Sequence, residues 1–151
     1  KIFKKGQSIT LQPGIIHRMK AVTKSVYLEA STPEIKDVMK GQTPIIKNVF
    51  SCGDSDEYLS VLNRYSPDEV ILCGIETHVC VYQTAMDLLS MEKGVQVVAD
   101  AVTSRKKLNH DIGLQRISAK GGSLTTYELL LFEEQKIAEG DRFRSLIKLV
   151  K

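Results

Sequence analysis

The sequence predicts an α/β fold, a three-layer sandwich of helices packed on a mostly parallel central sheet. Val70-Ile71-Leu72-Cys73 is an unbroken apolar run behind the turn signal Ser66-Pro67-Asp68, the pattern of a strand covered on both faces of a parallel sheet. Gly74 ends it, and apolar residues then recur at helical spacing through Val81, Ala85, Leu88 and Leu89. Strand and helix patterns go on alternating to the end of the chain, with no internal repeat or low-complexity linker. A chain of 151 residues, 42% of them hydrophobic, can bury one sizeable core, so residues 1–151 are read as a single domain.

Residues 1–7 are polar and basic and read as a frayed start. Ser8-Ile9-Thr10-Leu11 fits a short strand stopped by Pro13-Gly14. Ile15, Ile16, Met19 and Val22 have the spacing of about two helical turns. Residues 25–30 alternate around Val26 and Leu28 as a strand, and Ser31-Thr32-Pro33-Glu34 reads as a turn or helix start. Residues 44–51 read as a strand leading into a loop. Asp54-Ser55-Asp56-Glu57 then caps a helix that turns Tyr58, Leu59 and Leu62 inward. Beyond the central unit, residues 95–99 form a strand with Asp100 at its carboxyl end, where it caps the turn before Thr103 and Ser104. Residues 109–119 are helical through Ile112, Gln115 and Ile117, and Lys120-Gly121-Gly122 stops them. Residues 123–125 are a last short strand, Thr126 caps a helix over 127–135, and Phe143, Leu146, Ile147 and Val150 stripe a terminal helix.

Composition excludes several classes. Cys52, Cys73 and Cys80 are odd in number and lack metal-type spacing, so neither a disulfide framework nor a zinc site is expected, and a reducing, cytoplasmic compartment fits. No apolar run has the length of a membrane span, and no charged-then-apolar leader is seen. The net charge of +3 is uneven, +6 over residues 1–50 and −3 over the rest. The lysines there are scattered and have no interleaved aromatics, so a solvated surface explains them and no nucleic-acid partner is expected.

Cys80 falls in the first turn of the helix that follows the central strand. Unpaired backbone N–H groups and the positive end of a helix dipole favour a thiolate, the nucleophilic form of cysteine. The alternative is a small buried apolar residue.

Gly74-Ile75-Glu76-Thr77-His78-Val79-Cys80-Val81 resembles the nucleophile motif of the isochorismatase-like cysteine hydrolases, above all the eukaryotic isochorismatase domain-containing proteins. The resemblance runs on through residues 83–89, 97–105 and Thr125-Thr126-Tyr127-Glu128, and fades before Thr43. It implies a hydrolase acting on a small-molecule amide or related C–N bond, without cofactor or metal, in a homo-oligomer. It also implies roles for particular residues. Lys47, in Lys47-Asn48-Val49-Phe50-Ser51, matches the family's catalytic lysine segment, with a solvated loop lysine as the alternative. Cys80 is the nucleophile. Glu76, Thr77 and Cys80 supply a cis peptide, placed at Glu76–Thr77, and the N–H groups of an oxyanion hole. His78 is a candidate pocket residue or else a helix-start histidine at the surface.

One part of the family's triad has no counterpart. The first strand should end in Asp-x-Gln, and the nearest match is Thr10-Leu11-Gln12, whose threonine is no base. That first unit is divergent or truncated, and loss of an internal strand would leave its neighbours' backbone groups without partners. Asp37, Asp54 and Asp100 are nearby carboxylates in sequence, none in the motif. His17, His78 and His110 are too dispersed for the metal site of the nicotinamidase branch. A catalytically impaired relative that binds a ligand or partner through the same scaffold is therefore the second functional expectation.

Overall fold

The computed structural model describes residues 26–30 and 45–150; the expected strand at 8–11, the helix from Ile15, and the positions of Thr10, His17 and Asp37 lie outside them. The described chain runs β1 (Val26–Ala30), α1 (Asp56–Tyr65), β2 (Glu69–Ile75), a wide turn (Thr77–Val81), α2 (Tyr82–Ser90), β3 (Gly94–Thr103), α3 (Lys107–Ala119), β4 (Ser123–Thr125), α4 (Tyr127–Gln135) and α5 (Gly140–Val150). The four strands are parallel and lie in the order β1-β2-β3-β4.

The apolar run of β2 sits inside the sheet as its pattern requires. Val70 and Leu72 join Val95 and Val97 of β3 in one core with Tyr58, Leu62, Val81, Ala85, Leu88 and Ile117 from the helices and the turn. Val98 projects from the opposite face of the pleat. It is fully buried there, α4 packs on β3, and Leu146 of α5 is buried as well. Helices thus cover both faces. Phe143, Ile147 and Val150, the rest of the α5 stripe, are half-buried.

Several local expectations change. Residues 45–50 form no strand, because Lys47 Nζ donates to the carbonyls of Val49 (2.8 Å) and Phe50 (2.7 Å) and folds the segment into a loop around its own ammonium. β3 runs past Asp100 to Thr103 through an irregularity opposite Leu72 and Gly74. Asp100 therefore does not cap the Thr103-Ser104 turn; its Oδ1 accepts from Tyr127 N (3.0 Å) at the start of α4. In α3 the inward residues are Gly113 and Ile117, whereas Ile112 is exposed. β1 pairs with β2 from Val26↔Val70 to Ala30↔Gly74, while the region of the expected first strand lies outside the described residues. Among the described strands the order never reverses.

The caps follow the sequence. Ser55 accepts from Tyr58 N ahead of α1, and Thr126 from Leu129 N ahead of α4, each satisfying an amide with no intrahelical partner. Leu88, fully buried between α2 and the sheet, anchors this core. Leu88→Ala is expected to lower unfolding stability in urea by about 2–5 kcal/mol, through lost burial and the cavity left behind.

Candidate active site

Cys80 stands just past the carboxyl end of β2, where parallel sheets place their ligands. The wide turn carrying it is of the π type: Val81 N–H reaches back to Glu76 O (3.2 Å) and Tyr82 N–H to Thr77 O, each five residues earlier. The chain enters this turn through a cis peptide between Ile75 and Glu76, one bond earlier than the expected Glu76–Thr77. β2 ends at Ile75 and the turn starts at Thr77, so the reversal has to be made at the bonds flanking Glu76, and the first of them makes it.

Thr84 and Asp87 lie three residues apart on one side of α2, and the Cys80 side chain, in the turn just before it, bears on the charge of Cys52 on that side. That side holds the loop after Lys47. Thr84 Oγ1 accepts from Cys52 N (3.0 Å), deep in the core. Ser51 Oγ, also buried, donates to Asp87 Oδ2 and accepts from Gly53 N (3.0 Å). Gly53 sits so close that an added Cβ would lie 2.7 Å from Asp87 Cβ. The result is a polar knot that fastens residues 51–53 to α2, the helix that follows Cys80.

Cys52 is the residue where the expected pair meets. Burial pushes its thiol up, the Lys47 ammonium and a hydrogen bond from Thr84 pull it part of the way back, and the Cys80 side chain pushes it up again. Lys47 and Cys80 thus both act on Cys52, although among the described residues Lys47 hydrogen bonds to its own loop's carbonyls and not to Cys80. Tyr58 lies on the same buried side; burial and Cys52 raise its phenol, and its hydroxyl has no hydrogen-bond partner among the described residues.

The other side of the turn meets α3. His78 Nδ1 lies 3.0 Å from Ser104 Oγ, and its Nε2 is 3.2 Å from Asn109 Nδ2. With Tyr82, Asn109, Ile112, Gly113 and Arg116, His78 lines a cleft of about 180 Å³, and the Arg116 guanidinium covers the Tyr82 ring at 4.9 Å. His78 therefore lines a pocket, but one turned away from Cys80, because helical residues two apart do not share a face. The Glu76 side chain also points to this side and accepts from Arg105 Nε (2.5 Å). Thr77 Oγ1 pairs with His110 Nδ1 (2.9 Å). Asp54 is exposed. Among the described residues no group of three or more His, Cys, Asp and Glu could hold a metal ion.

Sequence reading missed Cys52, Thr84, Asp87 and His110. The spacing of Thr84 and Asp87 from Cys80 was a usable signal, whereas nothing local points to His110, 33 residues from its partner.

Residues 12–128 match the isochorismatase domain family. The secreted isochorismatase effector Isc1 of Phytophthora sojae (strain P6497) is 45% identical over 82 residues, covering 54% of this chain and 39% of its own. Isochorismatase domain-containing protein 2A of Mus musculus is 32% identical over 126 residues, covering 83% and 61%. The solved MAR1 ribonuclease of Caenorhabditis elegans superimposes with a TM-score of 0.60 at 34% identity, over 69% of this chain and 53% of that one. The ycaC gene product of Escherichia coli, described as an octameric hydrolase of unknown specificity, gives 0.69 at 20% identity over 83% and 65%, a likeness of fold alone. This chain spans 39% to 61% of the length of these two curated relatives.

Two measurements check this geometry. Brief iodoacetamide treatment at neutral pH, mapped by mass spectrometry, is expected to label half-buried Cys80 ahead of Cys52 and Cys73, which are 2% and 5% exposed. Asp87→Ala should cost about 1–3 kcal/mol by orphaning Ser51 and should speed labelling of Cys52 as its loop comes loose. The raised Cys52 thiol fixes a pH dependence. The fold prefers the protonated form, so this contribution is complete below the unfolded thiol's value of about 8.5 and is lost as pH climbs through the folded one. Stability in urea should fall above about pH 8.5, and Cys52→Ala should flatten that fall.

Proposed function

Because the chain belongs to the isochorismatase family, we propose that it is a hydrolase that opens a small amide or related C–N bond with Cys80 as nucleophile. The observation that carries this reading is the placement of Cys80 at the carboxyl end of a wide turn, directly ahead of the helix α2 to which the Lys47 loop is pinned. In this scheme the sulfur adds to the carbonyl carbon, and backbone N–H groups of the turn receive the developing oxyanion. The positive charge of Lys47 favours the anionic states on either side of that addition. Water then releases the acyl group from sulfur.

Departure of an amine needs a proton donor, and here the sequence supports a second reading. Thr10 stands where the family carries its aspartate, and the family match begins only at Gln12. Among the described carboxylates near the turn and its loop, Asp87 is held by Ser51 and Glu76 by Arg105, while Asp100 caps α4. The second reading is a catalytically impaired relative that binds a ligand or a partner through the same scaffold.

A cytoplasmic setting belongs to the proposal, supported by the free thiols of Cys52 and Cys80. Among the described residues no helix is long and apolar enough to cross a membrane.

A panel of small amides and activated esters separates the two readings. Amide turnover abolished by Cys80→Ser and reduced about a hundredfold or more by Lys47→Ala is the expected result for the hydrolase. Acylation by esters alone, without amide turnover, assigns the impaired relative. An oligoribonucleotide in the same panel, expected to stay intact, tests whether the name of the C. elegans relative carries over. Assembly completes the proposal: the half-buried Phe143, Ile147 and Val150 of α5 offer an apolar stripe for a homo-oligomer, with a symmetric dimer as the simplest closed form. Light scattering on an eluting column should then give a multiple of the 16.8 kDa chain mass, and a monomer persisting at high micromolar concentration overturns it.

A further inference from the structure

The turn that carries Cys80 is fastened from behind by α3 and the segment leading into it. Three consecutive residues at its entry each have a partner there: Glu76 with Arg105, Thr77 with His110, and His78 with Ser104 and Asn109. These ties differ in quality. Arg105 is largely exposed, so its ion pair is weak. Thr77 is fully buried, and His110 Nδ1 is the partner of its hydroxyl at 2.9 Å. One helical turn beyond His110, Gly113 brings the α3 backbone against the same residues: a Cβ there would lie 3.1 Å from His78 N and Cα and 3.2 Å from the Thr77 carbonyl carbon. The helix and the turn therefore meet backbone to backbone, with the Thr77–His110 pair as the polar contact beside that approach.

We propose that His110 is a positioning residue for acyl transfer at Cys80, acting through Thr77 to hold the turn's N–H groups where the oxyanion forms. The inference rests on the hydrolase reading above and names a residue that reading does not contain. His110 does not touch the reacting atoms, because Thr77 and His78 face α3 while Cys80, Thr84 and Asp87 face the loop at residues 51–53. Its effect is geometric. Oxyanion donors work only within hydrogen-bond reach of the developing charge, and a misplacement of about 1 Å removes much of their benefit. In either tautomer the ring nitrogen and the Thr77 hydroxyl share one proton, so the pair defines one orientation for a side chain that is fully buried.

Two reactions at the same sulfur isolate this role. Alkylation by iodoacetamide is displacement at a saturated carbon: sulfur bonds to the methylene, iodide leaves, and no oxyanion forms. Acylation by p-nitrophenyl acetate passes through an oxyanion: the thiolate adds to the carbonyl, p-nitrophenolate leaves, and a thioester remains on Cys80. Both are read on the Cys80 peptide by mass spectrometry in the wild type and in Thr77→Val, Thr77→Ser, His110→Ala and His110→Asn. Thr77→Val and His110→Ala are expected to slow acylation about tenfold or more while changing alkylation less than about twofold. Thr77→Ser, which keeps the hydroxyl, is expected to recover most of the rate, and His110→Asn part of it. The proposal is overturned if acylation and alkylation fall together, if acylation is unchanged in Thr77→Val and His110→Ala, or if Thr77→Ser is as slow as Thr77→Val. If Thr77→Val or His110→Ala is too unstable to purify, the other decides; if both are, His110→Asn decides, and acylation that falls no further than its alkylation overturns the proposal. A wild-type protein that is alkylated but never acylated at Cys80 overturns the hydrolase reading itself, and this inference with it.

Discussion

The hydrogen bond from the Cys52 amide to the Thr84 hydroxyl governs how the two halves of the candidate site meet. It lies inside the core, where an unpaired amide or hydroxyl would cost about 1–3 kcal/mol, so neither partner is free to leave. One partner belongs to the Cys80 helix and the other to the loop that begins at Lys47. Packing in the core thereby sets the site's register, and Ser51 with Asp87 repeats the tie one helical turn further along.

This arrangement explains why Cys52 is both structural and electrostatically exposed to the site. It is a core residue by burial and a neighbour of Lys47 and Cys80 by charge. Burial opposes its ionisation, so it keeps to the core although a cationic neighbour favours its thiolate. Tyr58 extends the same apolar floor, and its unpartnered hydroxyl marks the floor's one polar defect among the described core residues.

Sequence periodicity made the elements after Asp54 legible, because their apolar residues repeat at helix or strand spacing and their caps are local. It failed where a distant partner decides the outcome. Residues 45–50 have the composition of a strand, yet the Lys47 ammonium captures two of the segment's carbonyls. Asp100 looked like a cap for the next turn, but α4 brings Tyr127 to it from 27 residues away. In α3 the apolar pattern favoured Ile112, while the close approach to the turn demanded the one residue without a side chain, Gly113. At the site, Cys80 and Lys47 were readable as residues of interest through the family resemblance. The far side of the turn was not, since the Thr77–His110 contact depends on how α3 docks.

The wide turn fixes the rotational phase of α2. An α-helix advances roughly 100° per residue, so the residues inserted between the end of β2 and the start of α2 decide which side of α2 looks toward the loop. Thr84 and Asp87 meet Cys52 and Ser51 only in the phase the structure has. Removing a single residue from Thr77–Val81 would leave the composition of α2 untouched and still swing both anchors away from the loop. The count of residues in this turn is thus as much a structural parameter of the site as the identity of any one of them.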